Sequence, residues 1–402
     1  MSTSRVTIVG AGLGGLTLAH GLRHRGFDVA VYERDPHPGA RPQGYRIQLD
    51  EPGLSGLRRC LPEHLLRLCL ATSGAPPARV SVRDRRLRRV ADRAAADQTP
   101  TGPAPLPRAF DRPTLRQILL AGLGAAVHHG AALRGYELTS AGQVTAHFAD
   151  GRAATADLLV GADGVGSTVR RLLLPHAMVS DAGLRLIYGK IPLDGSAAAD
   201  LPGWVFDALF TVLAAGPGQP HVGLGPVRFG RPPELAGLAH EPPIALPVTP
   251  DYLAFMVGAP ADHPAMPSFA RLRGLDGGAL RELAGRLLGD DWHPDVHRLL
   301  GQWRTESLFP LRISTAGSVP ALPPGPVTLL GDAVHAMSPV LAMGANTAIR
   351  DAGELATLLS DATASGAPLG AAVAEYQRRM TGYAGPLVAS SRRTGQARVG
   401  QR

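Results

Sequence analysis

Cysteine and lysine are almost missing from this chain of 402 residues. It has two cysteines, and Lys190 is the single lysine among 41 basic side chains. Two cysteines cannot staple a domain of this size, so a disulfide scaffold is excluded and Cys60 and Cys69 are expected as reduced thiols. Aromatic residues make up only 5%, and the most basic stretch, 79–93, has none to serve as a stacking platform, which argues against nucleic acid. Cys-x-x-Cys does not occur, and no metal site is expected. Nowhere do about 18 apolar residues run uninterrupted, so no membrane-spanning helix is expected. The first apolar run, from Val6, is broken by glycines and lacks a cleavage signature, which argues against a leader. A soluble, cytoplasmic protein is the expectation.

What is present is a hydrophobic share of 45%, enough for a large core and two or three domains. The net charge of +8 is local: residues 79–93 hold seven Arg and two Asp, five of the eight excess charges. Without aromatics that stretch reads as a solvated strand face, or as a landing patch for an anionic visitor. Residues 99–107, TPTGPAPLP, form a proline-rich connector.

The N-terminus reads as strand, turn, helix, strand. Val6–Val9 is a short apolar run of the kind buried on both faces of a parallel sheet. Gly10, Gly12 and Gly15 follow as Gly-x-Gly-x-x-Gly, with Leu13 and Gly14 opening a helix. The first glycine permits the turn, the second lets backbone approach a diphosphate, and the third lets helix pack on strand. Free N–H groups at the helix start favour the anion. Glu33, 18 residues after Gly15, suits the ribose hydroxyls of an adenosine and would repel a 2′-phosphate. Further apolar strands are expected at 157–160, leading into Asp163-Gly164, and at 327–330, ending in Gly331-Asp332. A long helix is expected from about 346 to 360. Strand-like runs at 184–191, 204–213 and 252–257 suggest a separate, mostly antiparallel sheet.

Five segments together carry a resemblance: VTIVGAGLGGLTLAHGLRHRGFDVAVYER, FDRPTLRQIL, DLLVGADGVGSTVR, GDAVHAMSPVLAMGANTAIRDAGELATLL and EYQRRMTGYAGPLVASSRR. In this order they resemble the flavoprotein monooxygenases of the para-hydroxybenzoate hydroxylase type. The resemblance implies an α/β fold in which a Rossmann-type FAD-binding domain (1–75, 105–180, 276–402) is interleaved with a mostly antiparallel substrate sheet (76–104, 181–275), closed by C-terminal helices. It implies FAD as cofactor, NADPH or NADH as co-substrate, and an aromatic or polycyclic small molecule hydroxylated with O2 through a flavin C4a-hydroperoxide. Epoxidation, Baeyer–Villiger oxidation or oxidase chemistry on the same scaffold are alternatives, and a non-catalytic dinucleotide sensor is another. A short form of the fold without a further C-terminal domain is expected, as monomer or homodimer, with no nucleic-acid or membrane partner.

The resemblance also nominates residues. Beside the glycine loop, Glu33 and Arg34, it implies cofactor contacts for Arg41, Arg46 and Gln48 in the segment that passes the flavin ring. It adds Arg112, Asp163, Asp332, Pro339, Gly344, Ala345 and Asn346, with Asp332 on the ribityl hydroxyls and the helix after Gly344 pointing at the flavin. His335 fits the motif, but capping or packing explains it equally well, and no catalytic side chain is assigned. Ala342 departs from the family, which usually has glycine there. Tyr188, Trp204, Phe206, Phe210, His221 and Met256 are candidates for the substrate pocket.

Overall fold

The computed structural model describes residues 3–40, 44–75, 77, 79–94, 106–194 and 200–402. Arg41 and most of the connector 99–107 lie outside them. Four short apolar runs and one edge pair build a five-stranded parallel sheet. Its order is Val327–Leu329, Leu158–Gly161, Arg5–Val9, Asp28–Tyr32, Val127–His128. Ile8, Val31, Leu159 and Val160 are wholly buried, as both faces of a parallel sheet require. The helix Leu13–Arg23 packs beside this sheet, and His20 anchors it by a 2.8 Å contact from Nε2 to the carbonyl of Leu119.

Two helices built on small residues close the C-terminal side. Gly344–Ser365 runs against Leu13–Arg23 and Glu51–Cys60. Close approach is possible because the contacts are bare. A Cβ on Gly14 would meet the Ala348 carbonyl oxygen at 3.0 Å, and one on Gly56 would meet that of Ile349 at 2.4 Å. Its apolar stripe is inside: Ile349, Ala352, Leu355 and Leu359 are fully buried and Ala348 partly so. Leu369–Val399 then crosses back, its Tyr376 hydroxyl donating to the carbonyl of Leu329 at 3.0 Å.

The chain leaves the parallel sheet to build a second, seven-stranded one. Its order is Phe309–Ala316, Val179–Pro192, Tyr252–Pro260, His221–Val227, Phe210–Ala214, Arg79–Asp84, Arg89–Ala94. Every pairing is antiparallel except that of Phe210–Ala214 with Arg79–Asp84. One face carries Ile187, Val222, Phe255 and Val257, covered by the helices Gly277–Leu288 and Pro294–Gly301 around Trp303. The other face looks at the parallel-sheet domain. The boundary expected at 276 is therefore displaced. Those two helices and the strand Phe309–Ala316 belong to the sheet domain, because their apolar residues are buried against it.

The arginine-rich stretch 79–93 is the edge hairpin of this sheet. Arg79 and Arg89 lie near Asp92, Arg83 near Asp207, and Arg85 pairs with Asp291. Charge along an edge discourages pairing with another chain, and the concentration of arginine needs no ligand to explain it. Cys60 and Cys69 are separate buried thiols, and burial pushes both pKa values up to about 12. No helix among the described residues is long and apolar enough to cross a membrane. His20 and His24, like His293 and His297, stand four apart in sequence, yet no group of three potential metal ligands occurs among the described residues.

Burial lowers the pKa of His20 and of His221 to about 4, so both are neutral in the fold near neutral pH. The unfolded chain binds these protons from about pH 6.5 downward, so each contributes stability that falls as pH drops from 6.5 to 4. By linkage that is on the order of 3 kcal/mol per group. In urea unfolding, the stability gap between the wild type and His221→Asn should widen by about this amount from pH 4 to pH 6.5. A gap that does not change with pH contradicts a neutral buried imidazole.

Candidate active site

The glycine loop sits where strand Arg5–Val9 turns into helix Leu13–Arg23. Gly10 has φ +109°, and a Cβ there would lie 2.3 Å from the carbonyl oxygen of Ala162. A Cβ on Gly15 would lie 2.1 Å from the Gly10 oxygen. These two glycines are demanded by the fold. Gly12 is different: a Cβ there would meet no protein atom within 4 Å. It also precedes a helix start with no side-chain cap, leaving the first N–H groups available to an anion.

Glu33 is buried beside this loop. Its Oε2 accepts from the Ala11 N–H at 2.8 Å and its Oε1 from that of Asp35 at 3.0 Å. Each oxygen keeps a second lone pair for a hydroxyl. Arg116, which the sequence reading passed over, braces the loop by donating from Nε to the Ala11 carbonyl and from Nη1 to that of Pro38. Arg34 is exposed next to Glu33.

The loop after Val327–Leu329 carries the second constellation. Gly331 at φ +61° turns the chain into Asp332. Asp332 is solvent-exposed at the start of the short helix Asp332–His335, with the start of helix Gly344–Ser365 beside it. Desolvation by the surrounding protein raises its pKa, and the nearby His335 and Arg112 charges pull it back. A Cβ on Gly344 would stand 3.8 Å from Asp332 Oδ1, so the carboxylate borders the start of helix Gly344–Ser365. That start has no side-chain cap either. Asn346 is fully buried and spent on backbone. Its Nδ2 donates to the carbonyls of Gln48 and Ala342, and its Oδ1 accepts from the Asp50 N–H. It ties the strand Arg46–Leu49 to the start of a helix whose first N–H groups have no side-chain cap.

Before that helix, Pro339–Leu341 forms one 3-10 turn and Ala342 takes the left-handed conformation, φ 56° and ψ 24°. Glycine is the ordinary choice here because it lacks the Cβ penalty of about 1–2 kcal/mol. Ala342 bears that cost.

Below the Asp332 loop lies a network that sequence reasoning missed. Asp351 Oδ2 accepts from the Gly331 N–H (2.8 Å) and bonds His335 Nε2 (2.7 Å), while Oδ1 accepts from the Tyr383 hydroxyl (2.6 Å). His335 and Asp351 are completely buried, and the two carboxylates nearby raise the imidazole pKa against the opposing effect of burial. The only sequence signal was a charged residue inside an otherwise apolar stripe.

Asp163 has a local task. Its carboxylate accepts from the N–H groups of Thr168 and Val169 and from the Ser167 hydroxyl, starting the helix Thr168–Leu173. Arg170 in that helix donates to the Ala333 carbonyl at 2.9 Å and so fastens this turn to the Asp332 loop.

Across the cleft stands the inner face of the seven-stranded sheet. Tyr188 pairs in register with Met256 and Phe309, and Gly258 pairs with His221. Gly223 and Gly225 leave the middle low, with Phe210 and Met256 beside them. Tyr45 lies against Tyr188 and Phe309. Lys190 stands 4.3 and 4.1 Å from the Tyr45 and Tyr252 rings and reaches Asp111 at 3.3 Å. Asp111 caps the helix Arg112–Leu120, and the Arg112 N–H donates to the Tyr45 carbonyl. Of the proposed pocket residues, Tyr188, Phe210, His221 and Met256 share this face. Trp204 and Phe206 do not join them. They sit in a short 3-10 turn, and Trp204 Nε1 donates to Asp295 among the covering helices.

Two family models match the chain: a NAD(P)-binding Rossmann-like domain over residues 8–59 and an FAD binding domain over 315–382. The 3-amino-4-hydroxybenzoate 2-monooxygenase of Streptomyces cremeus is 32% identical over 86% of this chain and 76% of its own length. The chain belongs to the FAD-dependent monooxygenases. A dual O-methyltransferase/FAD-dependent monooxygenase of Cercospora beticola is 31% identical over 93% of this chain, which spans only 44% of that protein's length. Among solved structures, a putative FAD-containing monooxygenase from Photorhabdus luminescens superposes with a TM-score of 0.81 at 28% identity, covering 98% of both chains. HpxO of Klebsiella pneumoniae, solved with FAD and uric acid, shares the fold with a TM-score of 0.75 at 23% identity.

The cleft of this monooxygenase fits FAD. The bare Gly12 and uncapped helix start suit a diphosphate, and the accessible Asp332 suits ribityl hydroxyls. These features separate fold from binding. Gly12→Ala should keep the wild-type thermal stability of the apoprotein and lower FAD content. Gly15→Ala should cost about 1–3 kcal/mol or more by overpacking. Equal losses of stability in both variants, read by thermal unfolding of apoprotein beside flavin absorbance, would refute this assignment.

Proposed function

We propose that this monooxygenase takes electrons from NADH or NADPH and inserts one oxygen atom of O2 into an electron-rich aromatic ring. The observation that carries the reading is the cleft between the Asp332–Gly344 corner and a low, mostly apolar sheet face. Bound FAD supplies the electron storage and the activation of O2. The protein's own residues bind, orient and exclude water.

The glycine loop and the N–H groups at Leu13 would hold the diphosphate, Glu33 the ribose, and Asp332 the ribityl chain. The helix that begins at Gly344 presents the positive end of its dipole to the ring end of the cleft, which favours negative charge there. Tyr188, Phe210 and Met256 offer a flat partner for an aromatic substrate and keep water from it. Gly258 lets the His221 ring lie flat on the sheet, 2.4 Å from where a Cβ would be. Neutral in the fold, that imidazole can offer an uncharged hydrogen bond. The aminohydroxybenzoate monooxygenases among the relatives support an aromatic substrate.

Turnover under labelled O2 should place one labelled oxygen atom in the product and consume NAD(P)H in equal amount. A converted substrate free of label, with peroxide formed in step with NAD(P)H loss, overturns hydroxylation in favour of an oxidase. Asp332→Ala should weaken FAD retention about ten-fold or more, the loss of a charged hydrogen-bond acceptor. Unchanged flavin content would remove Asp332 from the site.

A further inference from the structure

Arg46 begins the strand that passes Gln48 along the cleft, but its side chain turns to the sheet. Nη2 donates to the Leu209 carbonyl at 2.7 Å and Nε reaches that of Pro226 at 3.4 Å. The guanidinium carbon stands 5.6 Å from the centre of the Phe210 ring. Gly225 makes room, since a Cβ there would lie 2.9 Å from Arg46 Nε. Arg46 is half-buried, and its guanidinium lies beside Phe210 and Gly225, on the side of the sheet that carries Tyr188 and Met256.

Among the described residues no carboxylate pairs with this cation. Asp111 stands opposite it in the strand pair, but that carboxylate is committed. Oδ1 accepts from Tyr252 and Lys190, and Oδ2 accepts from the Thr114 N–H and hydroxyl. Nη1 has no protein partner among the described residues either. A half-buried cation held by two carbonyl oxygens and an aromatic ring still has its charge to offer to an anion. A guanidinium offers a planar fork that matches a carboxylate or other anionic oxygen. A mere clamp between strand and sheet would use Nε and Nη2 and leave the rest idle.

Resting on the reading that an aromatic ring lies on this sheet face, we propose that Arg46 anchors an anionic oxygen group, carboxylate or phenolate, of the substrate. The enzyme then selects acidic over neutral aromatics. The same chemistry is present in the phosphates of a nicotinamide nucleotide. The position argues for the substrate: Arg46 is fixed from the sheet, with Phe210 and Met256 as an apolar bed, and its hydrogen bonds go to sheet-side groups.

The test uses the holoenzyme and matched probes: 4-hydroxybenzoate, salicylate and 3-amino-4-hydroxybenzoate, each against its methyl ester. Binding is read from perturbation of the flavin spectrum. Wild type should bind at least one acid about ten-fold or more tightly than its ester. Arg46→Gln should lose that preference through weaker acid binding, with ester affinity and the rate of flavin reduction by NAD(P)H unchanged. Arg46→Lys, which keeps the charge and the packing stem, should retain part of it. Arg86→Gln, on the exposed hairpin, should behave as wild type. A wild type that prefers no acid overturns the proposal, as does an Arg46→Gln variant whose only loss is in NAD(P)H affinity. A colourless wild type refutes the flavin reading itself, whereas a yellow enzyme blind to acids refutes only the role of Arg46. If Arg46→Gln does not fold, the wild-type and Arg46→Lys titrations decide.

Discussion

Asp351 lies in the helix Gly344–Ser365 with no exposed surface, and its carboxylate gathers Gly331, His335 and Tyr383. Each partner comes from a different part of the cleft wall. Gly331 belongs to the turn that aims Asp332, His335 to the short helix after it, and Tyr383 to the last long helix. A buried carboxylate with both oxygens hydrogen-bonded is stable, whereas one that loses a partner carries a large desolvation cost. The network therefore admits one arrangement of the loop. The raised pKa of His335 favours the imidazolium and a charge-assisted bond to Asp351. Asp332 itself stays outside the network, free to meet a ligand.

The same division between supporting and presenting groups runs through the site. Asn346, Arg116, Asp163 and Arg170 spend their side chains on backbone groups and turn starts. What faces the cleft is mainly backbone N–H at two uncapped helix starts, together with Asp332. A diphosphate and a flavin ring that accumulates negative charge both suit such a surface. On the sheet side Lys190 is paired with Asp111, whereas Arg46 has no carboxylate partner among the described residues. The lone lysine, conspicuous in the composition, turns out to be a tie between the sheet and the capping residue of helix Arg112–Leu120.

Much of the parallel-sheet domain was legible in the sequence because its strands are short apolar runs, two of them ending in glycines with positive φ, Gly10 after Val9 and Gly331 after Leu329-Leu330. The extent of the second sheet was less so. Phe210–Ala214 pairs with Arg79–Asp84 from far along the chain, and no local pattern reveals such a partner. The strand expected from 204 begins only at Phe210, so Trp204 and Phe206 fall in a turn and leave the pocket side. Residues 277–301 fall with the second sheet and not with the first domain, because Leu280, Leu283, Val296 and Leu299 are buried against that sheet, and no local pattern names the surface they meet. The three-stranded layer at 133–156 went unseen, although Gly142 and Asp150-Gly151 mark its two turns. Asp351 had no signal beyond its charge, and its meaning depends on Tyr383, brought from the next helix.

The central claim is that this cleft holds FAD, with the diphosphate at Gly12 and the ring end between Gly344 and the sheet. The most direct measurement is the visible absorption of the purified protein, with the released chromophore identified and counted. The account predicts a yellow protein carrying FAD at up to one molecule per chain, or an apoprotein that takes up FAD to that ratio. A protein that stays colourless in excess FAD and binds a nicotinamide nucleotide instead would contradict it.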